Sequence, residues 1–120
     1  MNKNDYNSMV DNARRRLNRD HSCNFQFINL SPIGGWDDAT SWSAQASYIT
    51  EIAGASATVT STAEHADPQA AMDAALAGLP AALNRRRRMR VDEIRAEAHT
   101  LDQRAIDLRS VADALERSIA

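Results

Sequence analysis

The sequence predicts an α+β protein: an N-terminal helix, a three-stranded antiparallel β-meander, a short helix and a long C-terminal coiled-coil-like helix. Three observations carry this. Apolar residues recur at helical spacing from Tyr6 to Leu17, and three stretches of period-two alternation separated by Gly and Pro follow them. From Val91 to Ile119 a heptad then runs without a slip. The expected organisation is a small α+β domain over residues 1–80 (helix, three-stranded sheet, helix) and a long association helix over residues 81–120.

The first helix needs a cap at Asn4 or Asp5 and runs to about Arg19, with Tyr6, Met9, Val10, Ala13 and Leu17 on one stripe. Arg14, Arg15, Arg16 and Arg19 fall near its C-terminal end, where cations favour the helix dipole. Asn24 to Leu30 alternates and is rich in β-favouring residues; Ser31, Pro32, Gly34 and Gly35 are expected to end that strand. Trp36 to Ser41 reads as loop. Trp42, Ala44, Ala46 and Tyr48 alternate with polar residues in a second strand that reaches about Ile52, and Gly54 marks the turn. Ala55, Ala57 and Val59 alternate with Ser56, Thr58 and Thr60 in a third. The small residues of these two strands leave room for a closely packed helix on one face.

Asp67 before Pro68 is a helix start, combining a capping side chain with Pro at the first helical position. Met72, Ala75, Leu76 and Leu79 form the apolar stripe. Gly78 and Pro80 interrupt it, so two helices are expected, Pro68 to about Gly78 and about Ala81 to Ser118.

Composition narrows the chemistry. The 120 residues carry a single cysteine, Cys23, which excludes an internal disulfide and fits a reducing compartment. No apolar run has the length of a membrane span and the polar N-terminus is no signal peptide, so a cytoplasmic protein with no membrane association is expected. His21 and Cys23 lack further ligands for a zinc pattern, and Glu64–His65 lacks the HExxH context. Gly34 and Gly35 lack phosphate-cradling spacing, and Asp37 and Asp38 read as turn carboxylates. Neither a catalytic residue, a cofactor nor a metal is therefore expected. A small enzyme built on His21, Cys23 or Asp37 ranks third among the readings.

Charge is segregated. No Lys or Arg lies between Arg19 and Arg85, although seven carboxylates do (Asp20, Asp37, Asp38, Glu51, Glu64, Asp67 and Asp73). Arg85, Arg86, Arg87, Arg88 and Arg90 then cluster at the expected start of the last helix, the end where cations oppose the dipole. Their partner is the protein's own carboxylates, a second protein or phosphate. Trp36, Asp37 and Asp38 form a candidate protein-contact surface, since Trp supplies large contact area.

The heptad names the candidate dimer interface. Position a is Val91, Ala98, Ala105, Ala112 and Ile119; position d is Ile94, Leu101, Leu108 and Leu115. Position e holds Arg95, Asp102, Arg109 and Glu116, and position g holds Arg90, Glu97 and Arg104. Parallel pairing sets Arg90 on Arg95, Glu97 on Asp102 and Arg104 on Arg109, every one a like-charge contact. Antiparallel pairing sets Arg95 on Glu116 and Asp102 on Arg109. The leading expectation is a non-enzymatic macromolecule-binding protein that forms an antiparallel homodimer and engages a heterologous protein partner. Size, split charge and the lack of a catalytic motif are shared with many phage or mobile-element accessory proteins, including inhibitors of host defence complexes. The alternative is a nucleic-acid-binding protein using Arg85 to Arg90 on phosphate.

Overall fold

A computed structural model describes residues 1–21 and 25–119. Six elements follow in order: α1 (Lys3–His21), β1 (Gln26–Ile33), β2 (Ser41–Ile52), β3 (Ala55–His65), α2 (Pro68–Ala77) and α3 (Leu79–Ser118). The strands form one antiparallel sheet in the order β1-β2-β3. The α+β class and the three-stranded meander are those the sequence predicts. The chain divides into two compact units, Met1–Arg86 and Arg87–Ala120.

In the first unit the helices share one face of the sheet. α1 lies against β1, α2 lies across β2 and β3, and the two helices touch each other. Alternation explains the core. Even residues of β1 and β2 and odd residues of β3 face the helices, so Ile28, Leu30, Trp42, Ala44, Ala46, Tyr48, Ala57 and Val59 are buried. Val10, Ala13 and Leu17 of α1 and Ala71, Met72 and Ala75 of α2 close over them. Ala44 and Ala46 of β2, with Val59 of β3, are the small residues of the core that Met72 and Leu79 join, both with no exposed surface.

Three boundaries differ from the sequence expectation, each for a physical reason. α1 is capped by Asn2, whose Oδ1 accepts from the Asp5 backbone N–H at 2.8 Å, so Asn4 and Asp5 lie inside the helix. β1 continues through Ser31 and Pro32 to Ile33 instead of ending at Leu30, while Asn24 lies outside the described residues. Ile49 N–H donates to Phe25 C=O, so odd residues of β1 bond β2 and Pro32 turns its missing N–H to the open edge, where none is needed. α3 begins at Leu79 instead of Ala81, because Pro80 in a first turn lacks only a donor that would go unused.

The α2–α3 junction is tight. Asp67 caps α2 by accepting from Ala70 N–H at 2.8 Å. Gly78 keeps right-handed helical angles, φ −80° and ψ −10°, so its role is not backbone freedom. A Cβ there would collide with the Ser61 hydroxyl of β3. Glycine lets the end of α2 lie directly on the sheet; Leu79, the next residue, enters the core, and Ala82 follows about one turn later.

Candidate association surface

The second unit consists of α3 beyond Arg86. No residue from Arg87 to Ile119 is buried, although the helix continues to Ser118. The d residues Ile94, Leu101, Leu108 and Leu115 are 40%, 59%, 60% and 64% exposed. At position a, Val91, Ala98 and Ala112 are exposed and Ala105 is intermediate. Ile119 lies one residue past the helix, its N–H donating to Glu116 C=O at 3.2 Å. From Val91 to Ser118 the stripe is about 40 Å long at 1.5 Å per residue.

Exposed apolar side chains also occur off this stripe. Val111 occupies position g and widens the apolar face. Ile106, 53% exposed, stands on the far side of the helix, and the heptad reading had no place for it. Thr100 donates to the Ala96 carbonyl at 3.1 Å and Ser118 to the Leu115 carbonyl at 2.6 Å, so both hydroxyls turn back onto the helix.

The Arg cluster lies deeper in α3 than the sequence reading placed it. With α3 starting at Leu79, Arg85 is past the first turn, where the dipole penalty has largely faded. Arg90 makes an ion pair with Glu93 at 3.3 Å, and Arg85, Arg87 and Arg88 are exposed. On α1, Arg16 pairs with Asp73 of α2 at 2.6 Å, Arg19 with Asp20 at 3.0 Å and Arg14 with Asp11 at 3.8 Å.

The two tryptophans separate. Trp42 is 5% exposed and belongs to the core, whereas Trp36 is 55% exposed. Trp36 stands between two rings, edge to face with Tyr6 and with Trp42, both at 5.6 Å between centroids. Beside it opens a cleft of about 380 Å³ bounded by Met1, Asn2, Lys3, Tyr6, Asn7 and Trp36. Asp37 and Asp38 are exposed beyond it.

Phe25 and Phe27 were visible in the sequence as alternating aromatics, but not the side they take. Both project from the face no helix covers, 69% and 54% exposed, beside Ile49. With Tyr48 and Thr58 they line a shallow depression of about 240 Å³.

Among the described residues no three His, Cys, Asp or Glu side chains converge on a point where a metal ion would sit. Cys23 lies outside the described residues, and His21 stacks on Tyr48 with centroids 4.6 Å apart. Among the described residues no helix is long and apolar enough to cross a membrane. Comparisons with protein-family models, with curated proteins and with solved structures find no match.

Proposed function

We propose that this is a non-enzymatic binding protein whose α3 stripe pairs two copies antiparallel, leaving the folded α+β unit of each copy to engage a heterologous macromolecule. The observation that carries the reading is the exposure of Ile94, Leu101, Leu108 and Leu115 along a continuous helix. Long helices in water draw most of their stability from packing an apolar face. Each of these side chains contributes about 1.5–3 kcal/mol when fully buried. Ala98, Ala105 and Ala112 permit the close approach that makes burial complete. The flanking charges supply about 0.2–1 kcal/mol per exposed pair, enough to choose direction and not enough to drive association.

The test is geometric. In a Cys23→Ser background, the chain carrying both Arg95→Cys and Glu116→Cys is treated with a short thiol-specific cross-linker. These positions are 21 residues apart on one helix, about 31 Å, so a link forms only between chains. Efficient linking of this variant, with none for Arg95→Cys alone, is the expected result. No link in the double variant, or an equal link in the single one, overturns the antiparallel pair.

The second reading places Arg85 to Arg90 on phosphate, and the exposure of Arg85, Arg87 and Arg88 supports it. Nucleic-acid affinity that falls steeply with salt, and a flatter salt slope when Arg85, Arg86, Arg87 and Arg88 become Ala, is its signature. Absence of binding at low salt removes it.

A further inference from the structure

The meander leaves two sheet edges, and they are built differently. β1 is short and places Pro32 on its open side. β3 runs for 11 residues with no Pro, Lys or Arg, and its register with β2 is unbroken from Ile52↔Ala55 to Trp42↔His65. Bulges, prolines, lysines and covering segments are the usual means by which an edge is kept from pairing. Neither a bulge, a proline nor a lysine occurs between Ser56 and Thr62, and Ser56, Thr58, Thr60 and Thr62 are exposed.

The direction of each backbone group follows from the pairing. Odd residues of β2 bond β1, as the Ile49 N–H to Phe25 C=O bond shows, so even residues of β2 bond the odd residues of β3. Ser56, Thr58, Thr60, Thr62 and Glu64 therefore direct both N–H and C=O away from the sheet, and these residues make no other backbone hydrogen bond. Their side chains lie on the face without helices, where the Thr60 hydroxyl shares a hydrogen bond with Ser47 at 3.0 Å.

We infer that β3 is a second self-association edge, pairing antiparallel with β3 of another copy about a two-fold axis at Thr60. That register uses all five outward-facing residues. It sets Thr60 on Thr60, Thr58 on Thr62 and Ser56 on Glu64, a threonine ladder in which no charge meets its like. On the other face Val59 meets Ser61 and Ala57 meets Ala63, small side chains that do not hold the strands apart. Shifting the axis to Thr58 or Thr62 shortens the overlap. The occupant is a second copy because the strand is complementary to its own reverse over its full length. The result joins two three-stranded sheets into one of six strands.

This edge is independent of the α3 stripe, and the experiment separates them in the full-length chain. In the Cys23→Ser background, Thr60→Cys is expected to form a symmetric disulfide under mild oxidation. The partners sit about 5.5 Å apart between Cα atoms in a bonded antiparallel pair, within disulfide reach. Thr58→Cys, which meets Thr62 and not itself, is expected to form none. A chain with Leu101→Asp and Leu108→Asp, unable to pair through α3, is expected to sediment as a dimer still. Adding Thr62→Pro removes an outward N–H without touching the β2 ladder and is expected to weaken that dimer about tenfold or more. Thr60→Lys, which sets like charges on the axis, is the second probe and is expected to act in the same direction. A monomeric Leu101→Asp/Leu108→Asp chain, a dimer unmoved by both edge variants, or failure of the Thr60→Cys disulfide overturns the edge. Loss of the Arg95→Cys/Glu116→Cys link with retention of the Thr60→Cys link removes only the helix reading.

Discussion

Leu79 and Leu108 stand on the same helix and meet opposite fates. Leu79 is fully buried under the sheet, whereas Leu108 is 60% exposed. Alanine divides in the same way: Ala75 and Ala82 are buried, while Ala98 and Ala112 are exposed. Both stretches carry small and large apolar residues at helical spacing. The spacing therefore fixes which face of a helix is apolar, and only the surroundings decide whether that face is covered. In Met1–Arg86 the covering is the protein's own sheet. In Arg87–Ala120 none of the described residues is buried, and the association role proposed above rests on that stripe.

Truncation should break the comparison most sharply. Leu17→Ala and Leu79→Ala, at sites with no exposed surface, are expected to destabilise the chain by about 2–5 kcal/mol in denaturant unfolding. Leu108→Ala should leave the unfolding of the α+β unit almost unchanged and reduce the Arg95→Cys/Glu116→Cys link instead. Comparable destabilisation by Leu79→Ala and Leu108→Ala would show that the stripe is packed within its own chain.

A smaller effect is expected at the junction. Gly78→Ala gains helix propensity but forces the Ser61 hydroxyl to rotate or the helix to lift, so a net cost of about 1–3 kcal/mol is expected. Ser61→Ala removes the obstructing oxygen, and the double variant should recover most of the loss. A Gly78→Ala protein as stable as the parent would show that the junction is not held by this close approach.

Much of this was legible in the residues, and what escaped has identifiable causes. The Asp67–Pro68 start, the α1 stripe and the Ala-rich face of β2 and β3 are local patterns that tertiary contacts reinforce. Pro32 does not end β1, because its tolerance depends on the direction its missing N–H faces, which is set by pairing with β2. Gly78 ends α2 as its local pattern predicts, but what demands glycine there is a neighbour 17 residues away in sequence, Ser61, which no local pattern shows. The outward turn of Phe25 and Phe27 escaped because alternation gives two faces without saying which is covered. At the candidate site the heptad is a local pattern, and the helix that carries it is present, but Ile119 falls beyond the end of that helix and Ile106, also exposed, lies off the stripe.

The hairpin offers a stabilising change. The β2–β3 turn is a two-residue loop in which Ala53 has φ 47° and Gly54 φ 79°. Both central residues are in the left-handed region, which suits Asn-Gly and strains alanine by about 1–2 kcal/mol. Ala53→Asn or Ala53→Gly should therefore raise the unfolding midpoint, with a gain of about 1 kcal/mol at most. A loss of stability in both variants would show that the Ala53 side chain makes a contact outweighing the strain.

The smallest effect concerns the tie between α1 and α2. The hydrogen bond from Arg16 holds the Asp73 carboxyl below its ordinary pKa, partial burial opposes the shift, and Gln69 adds a second bond at 3.0 Å. A carboxylate whose folded pKa is depressed contributes stability above its unfolded pKa, and that contribution is lost as pH falls through the folded value. The Arg16 and Asp73 side chains are 32% and 50% exposed, so solvent screening limits the pair to about 0.2–1 kcal/mol. Asp73→Asn should cost that amount at neutral pH, and the difference from the parent should shrink below about pH 4 as the parent carboxyl takes up its proton. Arg16→Ala should show the same narrowing, because either change removes the same pair. Urea unfolding of the three proteins across this range measures it. A gap that stays constant into acid would show that Asp73 acts through packing or the Gln69 bond, and that its charge contributes nothing to the tie between α1 and α2.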